Sequence, residues 1–102
     1  MNKEYFEWNE EKREKNIEKH GIDFEDAKFI FSGPTLERED KRFAYGEKRM
    51  IALGEVDGYV IVVVYTPRNE AKRIISARKA SRDERIAYNK AVLGSAQDDG
   101  PD

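Results

Sequence analysis

The order of hydrophobic and polar residues predicts a small sheet in the middle of the chain. Residues 59–66, YVIVVVYT, are apolar at successive positions, which is typical of a strand buried on both faces. Residues 49–55 predict a strand before it, and Asp57-Gly58 between the two is a strong hairpin signal. A third strand is predicted over 71–77. We therefore expect 59–66 to lie between its two neighbours in an antiparallel arrangement.

Shorter elements flank this sheet. The aromatic stretch 4–8 predicts a strand, and Asn9 is suited to cap a helix that Gly21 ends. The other predicted elements are a second helix between Asp23 and Gly33, a polar edge strand within 35–40, and a last helix from Ser81 to about Leu93. The order β-α-α-β-β-β-β-α, with tight turns between strands, predicts an α+β fold in which helices cover one face of the antiparallel sheet.

Composition limits the chain to one domain. A chain of 102 residues supports one modest core, and a charged fraction of 39% implies an ionic surface. Residues 94–102, GSAQDDGPD, have almost nothing to bury, so we expect a domain over residues 1–93 and a disordered acidic tail. The net charge of −2 owes much to that tail, because without its three aspartates 19 basic residues face 18 acidic ones.

The residue types that are missing restrict the chemistry. There is no cysteine and only one histidine, so disulfides, thiolate chemistry and a transition-metal site are not expected. No glycine-rich phosphate-binding motif is present, and we expect neither a metal nor another cofactor. The sequence has no apolar leader and no stretch of membrane-spanning length. These features predict a soluble, cytoplasmic protein without a membrane partner.

Basic residues concentrate where the last predicted strand passes into the last helix. Residues 68–85 include seven basic residues and only three acidic ones. By the two-residue period of a strand, Ser76 and Arg78 share one face and Arg73 points to the other, unless a twist or bulge realigns them. Arginines on an open sheet face can hold phosphates, and the helix start at Ser81 offers a second anion site. The alternative is a set of surface salt bridges.

The first predicted helix has hardly any apolar face. At 100° per residue, Lys12, Asn16 and Lys19 fall within about 60° of one another, and His20 lies beside them. This face is either an ordinary solvated surface or part of a binding site. His20 can transfer protons near neutral pH, but a histidine at a helix C-terminus can also serve only to stabilise the helix dipole.

Cations, a hydroxyl and one imidazole are the groups left for catalysis. They suit metal-free attack of an RNA 2′-hydroxyl on the adjacent phosphate, which needs charge stabilisation on the phosphoryl oxygens and proton transfer at two oxygens.

Two segments resemble the signatures of a known family. FEWNEEKREKNIEKHGIDFEDA, residues 6–27, resembles the opening signature of the BrnT family of bacterial toxins, and RIISARKASRDERIAY, residues 73–88, is similar to its second signature. Asn9 stands where the family usually has Asp, a change that keeps a capping residue at the helix start.

The resemblance implies a RelE-like fold and a type II toxin that cleaves RNA to arrest translation and growth. It also implies a cognate BrnA-like antitoxin that neutralises the toxin, and a complex that binds operator DNA mainly through the antitoxin. The catalytic candidates are His20, Arg73, Ser76 and Arg78, and the RNA-binding candidates are Lys12, Lys19, Lys79 and Arg82. The resemblance does not assign separate acid and base roles among them.

A second hypothesis keeps the same surface without the chemistry. A degenerate toxin homologue could act as an antitoxin-binding or nucleic-acid-binding co-repressor subunit. Binding a phosphate and cleaving at a phosphate recruit the same residue types, so the sequence leaves both hypotheses open.

Overall fold

The computed structural model describes residues 4–94, which form one sheet with helices on both sides. In chain order the elements are β1 (Tyr5–Trp8), α1 (Glu10–His20), α2 (Phe24–Ala27), a 3₁₀ helix (Lys28–Ser32), β2 (Leu36–Glu39), β3 (Met50–Val56), β4 (Tyr59–Arg68), β5 (Ala71–Lys79) and α3 (Arg82–Leu93). The element order agrees with the prediction, except that the second helix changes to 3₁₀ geometry after one turn. The predicted disordered tail lies, apart from Gly94, outside the described residues.

The five strands lie in the order β1-β5-β4-β3-β2. β4 is the central strand, antiparallel to both β3 and β5, which confirms the predicted arrangement. β2 is an edge strand paired with β3, as its polarity predicted. The other edge strand, β1, runs parallel to β5. The prediction of an antiparallel sheet therefore fails at this edge, because no hairpin turn fixes the direction of two strands so far apart in the chain.

Helices cover both faces of the sheet, whereas the sequence predicted that they cover only one. Ile61, Val63 and Tyr65 of β4 point into a core closed by α2 and the 3₁₀ helix. The alternate residues Val60 and Val62 pack with β3 and α3 on the opposite face. A strand that is apolar on both faces needs cover on both sides, so the pattern of β4 already implied this arrangement. Helix α3 therefore leaves only part of this second sheet face uncovered.

A bulge in β5 changes which side chains share a face. Val64 lies opposite Ser76 and Tyr65 lies opposite Ile74, so the residue between them, Ile75, has no partner in β4. One extra residue reverses the alternation of side chains. As a result Arg73, which pairs with Thr66, points to the same face as Ser76 and Arg78. A regular strand would have separated Arg73 from the other two residues.

The two longer helices end and begin as their sequences predict. The Asn9 side chain accepts a hydrogen bond from the Lys12 N–H at 3.0 Å, and Gly21 ends α1 with a φ of 71°. Ser81 and Glu84 form a reciprocal capping box at the start of α3. Within residues 4–94, none of the helices is long and apolar enough to cross a membrane.

Candidate functional site

The candidate site begins where a helix closes the free edge of β5. β1 pairs only with residues 71–74, so the edge of β5 beyond them has no neighbouring strand. Asn16 of α1 occupies this edge: its amide donates to the Ala77 carbonyl at 2.9 Å, and its side-chain oxygen accepts from the Ala77 N–H at 3.1 Å. The same amide group donates to the carbonyl of Ile22 at 2.8 Å. One buried side chain thus replaces a strand and fixes α1 against β5.

Between α1 and β5 lies a groove of about 210 Å³, which we call the α1–β5 groove. It is lined by Lys12, Lys15, Asn16, Lys19, His20, Ile75 and Ser76. Four of the eight residues that the sequence nominated therefore line one surface groove, although they come from two distant segments. None of the lining residues is acidic, and neither Lys12 nor Lys19 forms an ion pair within residues 4–94. The groove is therefore suited to a phosphate group.

His20 is placed to act on a ligand in this groove. It is the last residue of α1 and is half-buried in the groove wall. Within the described part of the chain its imidazole forms no hydrogen bond or ion pair with another residue. Its ring nitrogens are therefore available to a ligand. Ser76 on β5 contributes a hydroxyl to the lining of the same cavity.

The two nominated arginines of β5 already have carboxylate partners. Arg73 donates to Glu7 of β1 at 2.9 Å. Arg78 forms a bidentate pair with Glu84 of α3, at 2.8 and 2.9 Å. The hydrogen bonds from Arg78 lower the pKa of Glu84 to about 2, against the opposing effect of burial. A phosphate that binds either arginine must therefore compete with a carboxylate.

The expected anion site at the start of α3 is occupied by the helix's own residues. The Ser81 N–H donates to the Glu84 carboxylate at 2.8 Å, and the Glu84 N–H donates to the Ser81 hydroxyl at 3.2 Å. Asp83 adds a further negative charge in this turn. The inference of free N–H groups here was wrong for Ser81 and Glu84, because the capping box that identified the helix start also satisfies these two groups.

The remaining RNA-binding candidates do not line the groove. Lys79 pairs with Ile61, so it lies on the opposite face of the sheet from Ser76 and Arg78. Its ammonium is 4.7 Å from the centre of the Tyr59 ring. Arg82 is exposed in the first turn of α3. Among residues 4–94, no group of three or more His, Cys, Asp or Glu side chains is arranged to hold a metal ion.

Comparison with known proteins identifies the family. The family model described as "Ribonuclease toxin, BrnT, of type II toxin-antitoxin system" matches residues 8–84. The chain belongs to this family. A similar solved structure is the 1.1 Å crystal structure of the Brucella abortus ribonuclease toxin BrnT, with 34% sequence identity and a TM-score of 0.57. That match covers 78% of this chain and 99% of the Brucella chain. No curated protein sequence matches the chain.

The BrnT match includes both walls of the α1–β5 groove, since α1 and β5 lie within residues 8–84. It confirms the predicted BrnT-type α+β fold and the predicted class of ribonuclease toxin. A type II toxin–antitoxin family implies an antitoxin partner and an RNA substrate.

Sequence reasoning missed two residues of this BrnT-family groove. Lys15 lines the groove but was not among the candidates; its ammonium lies 3.4 Å from the Glu11 carboxylate. Asn16 was placed on the correct helix face, yet its hydrogen bonds to the backbone of β5 were not foreseen. The available signal was an uncharged amide in the middle of a helix whose other residues are mostly charged.

Proposed function

We propose that this chain cleaves RNA in the α1–β5 groove by metal-free attack of a 2′-hydroxyl on the adjacent phosphate. The observation that carries the proposal is the lining of the groove, in which lysines surround His20 and Ser76 without a nearby acidic lining residue. The lysines supply the positive charge that a phosphoryl group needs as charge builds on its oxygens. Membership of a ribonuclease toxin family supports the same reaction class.

Each groove residue has a defined part in this reaction. His20 accepts the proton of the 2′-hydroxyl as the new bond from that oxygen to phosphorus forms. The bond from phosphorus to the 5′-oxygen breaks, and that oxygen receives a proton from a lysine ammonium or water. Lys12 and Lys19 hold the phosphoryl oxygens, and the Ser76 hydroxyl donates a hydrogen bond to one of them. The products are a 2′,3′-cyclic phosphate and a 5′-hydroxyl.

Arg73 and Arg78 extend the basic surface beside the groove. Arg78 lies on the same face of β5 as Ser76 by the regular alternation of the strand, and the bulge at Ile75 brings Arg73 to that face as well. An incoming phosphate exchanges with Glu7 or Glu84 as the partner of the guanidinium, and a bidentate contact suits a phosphate as well as a carboxylate. We assign these arginines to positioning the RNA, next to the residues that carry the proton transfer.

A BrnA-like antitoxin completes the proposed system in the cytoplasm. Acidic or apolar antitoxin residues cover the open groove and screen its cations, which keeps the toxin inactive. Operator DNA is bound mainly through the antitoxin in the complex. Support comes from the type II toxin–antitoxin family and from the exposed charge of the groove.

The test is RNA cleavage by the purified chain in the presence of EDTA. We expect cleavage to continue and to leave 2′,3′-cyclic phosphate ends. His20→Ala should slow cleavage by about 10²- to 10⁴-fold, the usual contribution of a general base, with an unchanged melting temperature. Ser76→Ala should slow it less, because one hydrogen-bond donor is lost while the general base remains. Cleavage that requires an added divalent ion, or full activity of His20→Ala, would contradict the proposal.

A further inference from the structure

The loop between β2 and β3, residues 40–49, presents an aromatic ring to solvent. We call this segment the β2–β3 loop; its sequence is DKRFAYGEKR. Phe43 in this loop is 67% exposed, the highest value among the exposed large hydrophobic side chains of residues 4–94. A single exposed ring is common on protein surfaces, so the surroundings of Phe43 decide whether it marks a binding site.

The ring is held on a well-anchored loop. Asp40 is buried at the loop base, and its carboxylate accepts hydrogen bonds from the Arg42 guanidinium at 2.9 Å and the Tyr45 hydroxyl at 2.8 Å. The Arg42 hydrogen bonds hold the pKa of Asp40 well below its usual range. The Asp40 N–H also donates to the Arg49 carbonyl at 2.7 Å, which joins the two ends of the loop. Phe43 is therefore presented in an ordered setting.

Cations alternate with aromatic rings along the loop. The Arg42 guanidinium lies 5.8 Å from the centre of the Phe43 ring, and Phe43 packs edge-on against Tyr45 at 5.8 Å. The Arg49 guanidinium covers the other aromatic ring, Tyr45, at 3.8 Å. Lys41 and Lys48, the remaining basic residues of the loop, form no ion pair within residues 4–94. An exposed ring such as Phe43 beside unneutralised cations is the usual chemistry of single-stranded nucleic acid binding.

The loop stands at one end of the sheet face that carries Ser76. Glu47 of the loop contacts the Thr66 hydroxyl at 3.5 Å and Arg68 at 3.8 Å. Thr66 lies directly opposite Arg73 on β5, and three residues of strand, about 10 Å, separate Arg73 from Ser76. A single strand of RNA that leaves the α1–β5 groove along β5 therefore passes Arg73 on its way to the loop.

We propose that the β2–β3 loop is a second RNA subsite, in which an unpaired nucleobase stacks on Phe43 while Lys41 and Lys48 attract the flanking phosphates. The inference rests on the proposed function, since it extends the RNA path from the α1–β5 groove. A nucleobase fits the observations better than a protein partner does. The apolar surface here is a single ring among charged side chains, whereas protein interfaces bury larger apolar patches at their centre.

The probe is a short RNA oligonucleotide with 2′-O-methyl groups, which cannot undergo 2′-hydroxyl attack. We expect Phe43→Ala to bind it about ten-fold more weakly, in keeping with the loss of one base–aromatic stack. Phe29→Ala is the matched control, because Phe29 is also exposed, at 55%, but lies on the 3₁₀ helix. Phe43→Trp should retain binding. The fluorescence of the tryptophan at position 43 should be quenched by the oligonucleotide, but not by an oligonucleotide that is abasic at the stacked position.

Equal RNA affinity of Phe43→Ala and Phe29→Ala would overturn the inference. Weaker antitoxin binding with unchanged RNA binding would overturn it too, and would assign the ring to a protein contact. Lys19→Ala, measured with the same probe, separates this inference from the proposed function. If Lys19→Ala weakens binding and Phe43→Ala does not, RNA binds in the α1–β5 groove and the loop is not a subsite. If Phe43→Ala weakens binding and Lys19→Ala does not, RNA binds at the loop and the proposed function of the groove is rejected.

Discussion

The amide of Asn16 forms hydrogen bonds with both backbone groups of Ala77, 61 positions later in the chain. This pair ties α1 to the unpaired edge of β5, and Asn16 lines the same groove as His20 and Ser76. The relative position of the two candidate catalytic side chains therefore depends on a side chain that contributes no chemistry of its own.

Asn16→Ala should lower both stability and activity. The substitution leaves the Ala77 N–H and the carbonyls of Ala77 and Ile22 without their partner. Each unsatisfied buried group of this kind costs about 1–3 kcal/mol, and the cost falls where the structure relaxes or water enters. We expect a loss of about 2–4 kcal/mol in the free energy of unfolding, measured by urea denaturation. Lys15→Ala, at an exposed neighbouring position, should change stability by less than about 0.5 kcal/mol. Equal effects of the two substitutions would show that the hydrogen bonds of Asn16 do not stabilise the fold.

Local signals predicted most of the fold. The caps at Asn9 and Ser81, the Asp57-Gly58 hairpin and the two-sided pattern of β4 each depend on residues close together in sequence. The parallel direction of β1 and the bulge at Ile75 depend on partners far away in the chain, and neither has a local signature. The placement of α3 could have been predicted, because β4 is apolar on both faces.

The candidate site was predicted in its composition and only partly in its arrangement. Residue types and motif position nominated His20, Ser76 and two lysines, which the structure brings into one groove. The same reasoning grouped Lys79 with Arg78, although neighbouring residues in a strand point to opposite faces. The carboxylate partners of the two arginines could not be foreseen, because they come from β1 and α3.

Gly54→Ala should destabilise the contact between β3 and the 3₁₀ helix. A methyl group at this position would lie 2.5 Å from the Cβ atom of Ile30, which is fully buried. Overpacking of this kind costs about 1–3 kcal/mol, which thermal or urea denaturation would measure. The matched control is Gly33→Ala, where an added methyl group meets no atom within 4 Å. A Gly54→Ala variant as stable as the control would contradict the described packing.

The Arg78–Glu84 pair should make part of the stability depend on pH. The pKa of Glu84 is lowered from 4.5 to about 2 by Arg78, so its contribution is present above pH 4.5 and is lost as the pH falls towards 2. We expect the wild-type chain to be more stable than Glu84→Gln at pH 7, and this difference to shrink between pH 4.5 and 2. Urea denaturation at several pH values measures it. A difference that stays constant across this range would show that the pair contributes no pH-dependent stability.

Glu84→Gln should also strengthen RNA binding. Loss of the carboxylate releases the Arg78 guanidinium and removes a negative charge beside the RNA path, so we expect a several-fold gain in affinity for a non-cleavable oligonucleotide. Glu25→Gln makes the same change of charge in α2, where Glu25 pairs with Lys28, and serves as the control. Equal gains in both variants would mean that net charge alone is responsible and that Arg78 does not reach the RNA.

The measurement that tests the α1–β5 groove most directly compares Lys19→Ala with Lys79→Ala. Lys19 lines the groove, whereas Lys79 does not: its ammonium packs over Tyr59 on the sheet face opposite Ser76. Affinity for the 2′-O-methyl oligonucleotide is measured as a function of salt concentration. Lys19→Ala should weaken binding and reduce the slope of log affinity against log salt by about 0.7, the value for one lost contact to a single strand. Lys79→Ala should leave both quantities unchanged. Loss of affinity and slope in Lys79→Ala, with Lys19→Ala behaving as wild type, would place the RNA on the other face and contradict the groove as the site.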